Sequence, residues 1–239
     1  LNYHPNVVFS FGVRMISGRP FLEMEPIFAN KDGRRTLNDY IGTKLPLETI
    51  FDWAIQFCHG MEFINSEGIK SHGDIKPENI LVDFFNMVKI SDFGFLESFD
   101  ENKKQIKGTL AYMAPESFKG IHNIKTDIYS FGIVLYQLLN WGNFPFESEN
   151  NFFEEWEKLH KTHPIPITTK NQKIDSIIQK CLEKNSEGRY SSFKELRVDL
   201  EKIFLEISDK KIYVPDLVNL PPDFHNLSIA HAYGQYGNM

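Results

Sequence analysis

Two short β-rich runs, Ile80-Leu81-Val82 and Val88-Lys89-Ile90, flank Phe84-Phe85-Asn86 and read as a hairpin. A hairpin returns the chain to its starting end, so Asn79, before the first run, and Asp92, after the second, come together as two oxygen donors. The segment leading in, Ser71-His72-Gly73-Asp74-Ile75-Lys76-Pro77-Glu78-Asn79, adds a carboxylate and an ammonium close to the same end. Upstream, Pro46 to Ser66 places Ile50, Trp53, Ala54, Phe57, Met61 and Ile64 at three- and four-residue spacing, the pattern of an amphipathic helix that packs beneath this loop.

The same loop, followed by Ser91-Asp92-Phe93-Gly94 and Met113-Ala114-Pro115-Glu116, resembles the protein-kinase signatures H-R-D-x-x-x-x-N, D-F-G and A-P-E in the family's order. Each motif alone has a structural reading, a turn after a strand or a helix start. The three in order resemble a kinase domain over residues 1–207, an α+β fold consisting mostly of the helical C-terminal lobe with the last strands of the small lobe. Phosphoryl transfer needs a carboxylate beside the incoming hydroxyl and oxygen ligands that hold Mg²⁺ against ATP phosphates. The resemblance implies Asp74 as base, Lys76 at the transferring phosphate, and Asn79 and Asp92 as Mg²⁺ ligands. Lys76-Pro77 and Thr109 resemble the serine/threonine version, with Thr109 bridging the aspartate and the lysine. The implied partners are ATP and a protein substrate with a Ser or Thr acceptor.

Phe21-Leu22-Glu23-Met24-Glu25-Pro26-Ile27 resembles the strand and hinge that hold adenine, with Met24 near the gatekeeper position and Glu25 and Ile27 offering backbone groups. A plain buried strand is the alternative. Leu81 resembles the floor of the adenine pocket, with core packing as the alternative. Val7 to Val13 and Pro20 to Glu25 read as strands joined at Ser17-Gly18-Arg19. No two of the 15 glycines lie two positions apart, so G-x-G-x-x-G is impossible in these residues, and there is no V-A-I-K strand. The opening Leu1 to Val8, with no initiator Met, resembles the link from helix C into the fourth strand. Residues 1–239 alone are therefore expected to be catalytically crippled, as a fragment lacking the phosphate-covering loop and strand lysine.

A net charge of −6 argues against a nucleic-acid-binding face. Cys58 and Cys181 lack metal-ligand spacing and read as buried reduced thiols, which fits a cytoplasmic protein. The longest apolar run, Phe131 to Leu139, is far shorter than a membrane span of about 20 residues, and no membrane segment is expected.

Thr126 to Leu139 reads as an interior helix whose Asp127 resembles the family's aspartate that hydrogen-bonds the catalytic-loop backbone; favourable charge at a helix N-terminus is the competing role. Glu116 and Arg189 match the family's buried ion pair. His59 reads as structural. Asn150 to His160, with Phe152, Phe153, Trp156 and Leu159, resembles the helix on which family members dock substrates, though its aromatics equally suit half-buried core. Ser192-Phe193-Lys194-Glu195 has capping-box spacing and opens a last helix, ending near Ile207. Residues 208–223, with Pro215, Pro221 and Pro222, read as a linker. Residues 224–239 resemble the first helix of a tetratricopeptide repeat, which would serve protein partners.

One departure stands inside the motif. Gly73 occupies the place of the family's arginine, which meets a phosphorylated activation loop. Control by phosphorylation of the activation loop from Phe95 to Gly108 is therefore not expected, and phosphate on Ser98 or Thr109 should not raise turnover. The loop's acidic run, Glu97 to Glu101, reads as solvated or as substrate-docking. Gly73 and the absent nucleotide clamp also admit a pseudokinase or scaffold; retention of Asp74, Lys76, Asn79 and Asp92 favours the enzyme.

Overall fold

A computed structural model describes residues 3–92, 108–166, 169 and 171–215. It contains two antiparallel hairpins and a helical body. The first hairpin pairs β1 (Ser10–Ile16) with β2 (Arg19–Met24). Its turn is Ser17-Gly18, both at positive φ (49° and 76°), the conformation a tight two-residue hairpin requires. The first strand starts later than the apolar pattern predicts. Val7 and Val8 are drawn elsewhere: Val7 bridges Ile90, and the Val8 N–H donates to the Ile90 carbonyl at 2.9 Å.

The second hairpin, β3 (Ile80–Val82) and β4 (Val88–Ile90), is in the expected place, with Ile80 opposite Ile90 and Val82 opposite Val88. Four of its six residues turn fully buried apolar side chains inward. Beneath it runs α1 (Leu47–Ser66), and all six spaced apolar positions of this helix are buried. Gly60 makes the close approach possible, since a Cβ there would meet the Asn6 carbonyl at 2.7 Å and Ile90 Cδ1 at 2.8 Å. Gln56 then reaches from the helix to the strand, accepting the Val88 N–H at 2.8 Å.

The interior helix, α2 (Ile124–Leu139), begins two residues earlier than predicted because Asn123 caps it. The Asn123 side chain accepts the Lys125 and Thr126 N–H groups, and Thr126 Oγ1 accepts the Asn123 N–H at 3.0 Å. Phe57 of α1 stacks on Phe131 of α2 at 4.1 Å, with Phe193 edge-on, so three elements share one aromatic centre. Around it lie α3 (Phe153–Thr162), α4 (Gln172–Cys181) and α5 (Phe193–Ile207). At the start of α5, Ser192 Oγ accepts the Glu195 N–H as expected. The Glu195 carboxylate turns instead to the N–H and hydroxyl of Ser191, so the capping box closes only halfway.

After α5 the chain doubles back along α1. Ile212 packs against the core, Lys210 pairs with Glu48, and the Tyr213 ring meets His59 edge-on at 5.8 Å. The beginning of the stretch expected as a linker is therefore attached to the body. Residues 216–239, with the repeat-like helix, lie outside the described residues, as do 93–107, which hold Phe93, Gly94 and the acidic run. Cys58 and Cys181 are buried and unpaired by disulfide, their thiols pushed up by burial. Among the described residues no helix is long and apolar enough to cross a membrane.

Candidate active site

The loop from Ser71 to Asn79 is held from below by one buried carboxylate. Asp127, in the first turn of α2, accepts the His72 N–H at 2.7 Å, the Gly73 N–H at 3.1 Å and the Ser71 hydroxyl at 2.9 Å. Complete burial pushes its carboxyl up from the usual range, opposed by these three donors. Both roles read for Asp127 in the sequence are thus occupied by one side chain. His72 fixes the loop sideways. Its Nε2 donates to the Ser91 carbonyl at 2.9 Å, and its Nδ1 accepts the Asp74 N–H at 3.3 Å.

That clamp presents Asp74 in the centre of a polar cluster. Its Oδ1 accepts both the N–H and the hydroxyl of Thr109, each at 3.0 Å. Its Oδ2 lies 2.7 Å from Lys76 Nζ and 3.2 Å from Asn79 Nδ2. Lys76 Nζ also donates to Thr109 Oγ1 at 3.1 Å, so the threonine bridges aspartate and lysine as the resemblance implies. Asp74 is buried, whereas a quarter of the Lys76 side chain is exposed.

Asn79 spends its amide hydrogens on Asp74, donating to the backbone carbonyl at 2.8 Å as well as to the carboxylate. Its side-chain oxygen remains the group available to a cation. Ser91 ties the two strand ends by giving both its N–H (3.0 Å) and its hydroxyl (3.1 Å) to the Asn79 carbonyl. Asp92 follows at once, exposed and at φ 64°, a left-handed conformation that a non-glycine residue adopts at a cost of about 1–3 kcal/mol. An amide oxygen and a carboxylate at adjoining strand ends suit Mg²⁺, which takes few protein oxygens and completes its shell with water and substrate phosphates.

The adenine-side positions are arranged differently. Met24 is exposed, Ile27 is half-buried and β2 is exposed along nearly all its length, so the alternative of a plain buried strand does not hold. The Glu25 N–H donates to the Phe9 carbonyl at 2.9 Å. Its carboxylate accepts the Phe9 N–H at 2.9 Å and faces Lys89 Nζ at 2.8 Å. Leu81 is half-buried, paired with Lys89 and bridged to Thr36.

Glu116 and Arg189 form a two-pronged ion pair, Nη1 to Oε1 at 2.6 Å and Nη2 to Oε2 at 2.9 Å. Arg189 also donates to the carbonyls of Glu183, Lys125 and Lys184, and its guanidinium lies 4.8 Å over the Tyr129 ring. Gly73 sits at φ +83° with open space where a Cβ would be. An arginine there would have room but would strain the backbone.

A family model described as the protein kinase domain matches residues 1–199. The chain belongs to that family. It is 34% identical over 211 residues to the probable serine/threonine-protein kinase CPE1738 of Clostridium perfringens, covering 84% of this chain and 30% of the relative. It is 30% identical over 216 residues to serine/threonine-protein kinase PknB of Mycobacterium leprae, covering 84% and 33%. PknB of Mycobacterium tuberculosis is 29% identical over 197 residues, covering 77% and 30%. The kinase domain thus spans about a third of the length of these relatives.

Sequence reasoning did not assign the roles of His72, Lys89 and Gln56. The histidine was visible within the motif, but its two hydrogen bonds join segments that only the fold brings together.

Proposed function

We propose that this chain carries the catalytic half of an ATP-dependent kinase that phosphorylates Ser and Thr hydroxyls of proteins. The observation behind this reading is the closed set Asp74, Lys76, Thr109 and Asn79, in which each polar group contacts at least one other at 2.7–3.2 Å. Asp74 orients the acceptor hydroxyl and takes its proton as the bond to phosphorus forms. Lys76, anchored between Asp74 and Thr109, keeps a positive charge beside the transferring group, and Thr109 braces the pair by accepting from Lys76 and donating to Asp74. Asn79 and Asp92 would hold Mg²⁺, which when bound neutralises charge on the ATP phosphates. Met24, Glu25, Ile27 and Leu81 would line the adenine side.

The scaffold reading draws on Gly73 and on the absent nucleotide clamp. It leaves unexplained why four groups required for chemistry keep a mutually satisfied geometry. Transfer of labelled phosphate from MgATP to a serine- or threonine-containing substrate by the full-length protein, lost in Asp74→Asn and Asp92→Asn, tests the enzyme. Transfer that survives both changes would overturn it. Residues 1–239 alone, without G-x-G-x-x-G, are expected to transfer little or no phosphate.

A further inference from the structure

His160 is a buried imidazole that the proposed chemistry does not use, and both of its ring nitrogens are engaged. Nε2 lies 2.9 Å from the Leu110 carbonyl and Nδ1 lies 2.9 Å from the Tyr129 hydroxyl. A carbonyl only accepts, so Nε2 carries the proton, and Nδ1 takes the hydrogen of Tyr129. The ring is packed among Phe118, Phe146 and Trp156. Burial, aided by the nearby Lys184 charge, holds its pKa down at about 3, so the imidazole stays neutral and keeps this single tautomer.

Leu110 follows Thr109 directly and opens the turn Leu110–Tyr112. From α2 this turn is held by Ser130, whose hydroxyl donates to the Tyr112 carbonyl at 2.7 Å, and by Gln137, which accepts the Tyr112 hydroxyl at 2.8 Å. From α3 it is held by His160. The Leu110 carbonyl also accepts the Met113 N–H at 3.3 Å, so the histidine bond and the turn bond share one oxygen. Tyr112 and Met113 line the same cleft as Asp74 and Thr109.

We propose that His160 is a positioning residue for the protein acceptor, its Nδ1 partnered by the Tyr129 hydroxyl, holding the turn 110–113 as the wall against which the substrate segment beside Asp74 is received. This deepens the kinase reading above and rests on it. Loss of the bond should loosen acceptor binding while leaving nucleotide handling intact, because Asn79, on the metal side, is held through Asp74 and Ser91 and not through the turn.

The test is steady-state kinetics of the full-length protein on a peptide library with fixed serine or threonine, for His160→Phe, His160→Gln and Tyr129→Phe. His160→Phe removes the donor and should raise the peptide KM about tenfold, the size of one net hydrogen bond, with the KM for ATP unchanged. His160→Gln keeps an N–H donor at the same reach and should restore most of the loss, and Tyr129→Phe should fall between. A peptide KM unchanged in a folded His160→Phe protein, or equal losses in the peptide and ATP constants, would overturn the proposal. If the unmodified protein shows no Asp74-dependent transfer, the kinase reading falls separately. The positioning claim is then decided by amide exchange at Tyr112 and Met113. Faster exchange in His160→Phe than in His160→Gln supports it, and identical exchange in both overturns it.

Discussion

The β1–β2 hairpin and the loop from Ser71 to Asn79 belong to one domain but are built on opposite principles. In the hairpin, Val13, Met15, Ile16, Phe21, Leu22 and Met24 are all exposed, and the Arg14–Glu23 pair spans 3.5 Å at the surface. In the loop, Ser71, His72, Asp74 and Asn79 are buried polar residues, the first three tied to Asp127, Ser91 and Thr109 and the last to Asp74 itself. The hairpin is specified by its turn and local register; the loop is specified by hydrogen bonds that cross 19 to 56 residues of sequence. Chemistry that depends on placement within an ångström sits on the second kind of structure, because buried polar groups left unpaired are costly and so admit one arrangement.

The largest break in this contrast would come at Asp74. In the full-length protein, Asp74→Asn should lower kcat by about 10²–10⁴, the range for a positioned general base, without a comparable loss of stability. Initial rates and thermal unfolding on the same preparation check both halves of the statement. A comparable rate loss from truncating Met15 in the hairpin would erase the distinction between the two regions.

Next in size is Arg189→Ala. Its guanidinium is fully buried and its removal leaves Glu116 and three carbonyls without their donor. The expected cost is about 3–5 kcal/mol of unfolding free energy, since an uncompensated charge stays inside. Denaturant unfolding gives the number, and a midpoint equal to that of the unmodified protein would show that the pair contributes nothing.

What could be read from the sequence divides along the same line. The helix α1 was legible because its core contacts repeat at helical spacing, and β3–β4 because its two runs are apolar but for Lys89 and close in sequence. The start of α2 was missed by two residues since the cap, Asn123, carries no apolar signal. β1 was shifted because Val7-Val8 pairs with β4 rather than with its neighbour β2. Within the site, the resemblance supplied Asp74, Lys76, Thr109, Asn79 and Asp92, and the geometry brings the first four together. No local pattern announces that Lys89 meets Glu25 or that His160 meets Tyr129, pairs 64 and 31 residues apart.

Acid titration sharpens the comparison from the buried side. His160 is held down at about pKa 3 and His4 at about 4, in both cases first by burial. A histidine depressed in the fold binds its proton more readily when unfolded. Its contribution is therefore complete above the unfolded value near 6.5 and is lost as pH falls toward 4 for His4 and 3 for His160. Each such histidine adds a slope of up to about 1.4 kcal/mol per pH unit within its window. Unfolding free energies between pH 7 and 5 should fall accordingly, and His160→Gln should remove one histidine's share of the slope. An unaltered slope would mean that the ring is hydrated in solution.

The smallest effect belongs to the hairpin. Arg14 and Glu23 form an ion pair, as do Arg189 and Glu116, yet two-thirds of the Arg14 side chain is in water and the separation is 3.5 Å. Solvent screens the attraction and ordering two long side chains offsets most of what remains, so Arg14→Ala should change unfolding free energy by less than about 1 kcal/mol. The same substitution type is thus expected to differ several-fold in cost between the exposed hairpin pair and the buried Glu116 pair, through burial and the further bonds Arg189 makes. A double-mutant cycle on each pair measures that ratio free of the other contacts Arg189 makes. A coupling at Arg14–Glu23 as large as that at Arg189–Glu116 would mean that the hairpin surface is desolvated in solution, and the contrast between a locally specified hairpin and a globally specified loop would have to be abandoned.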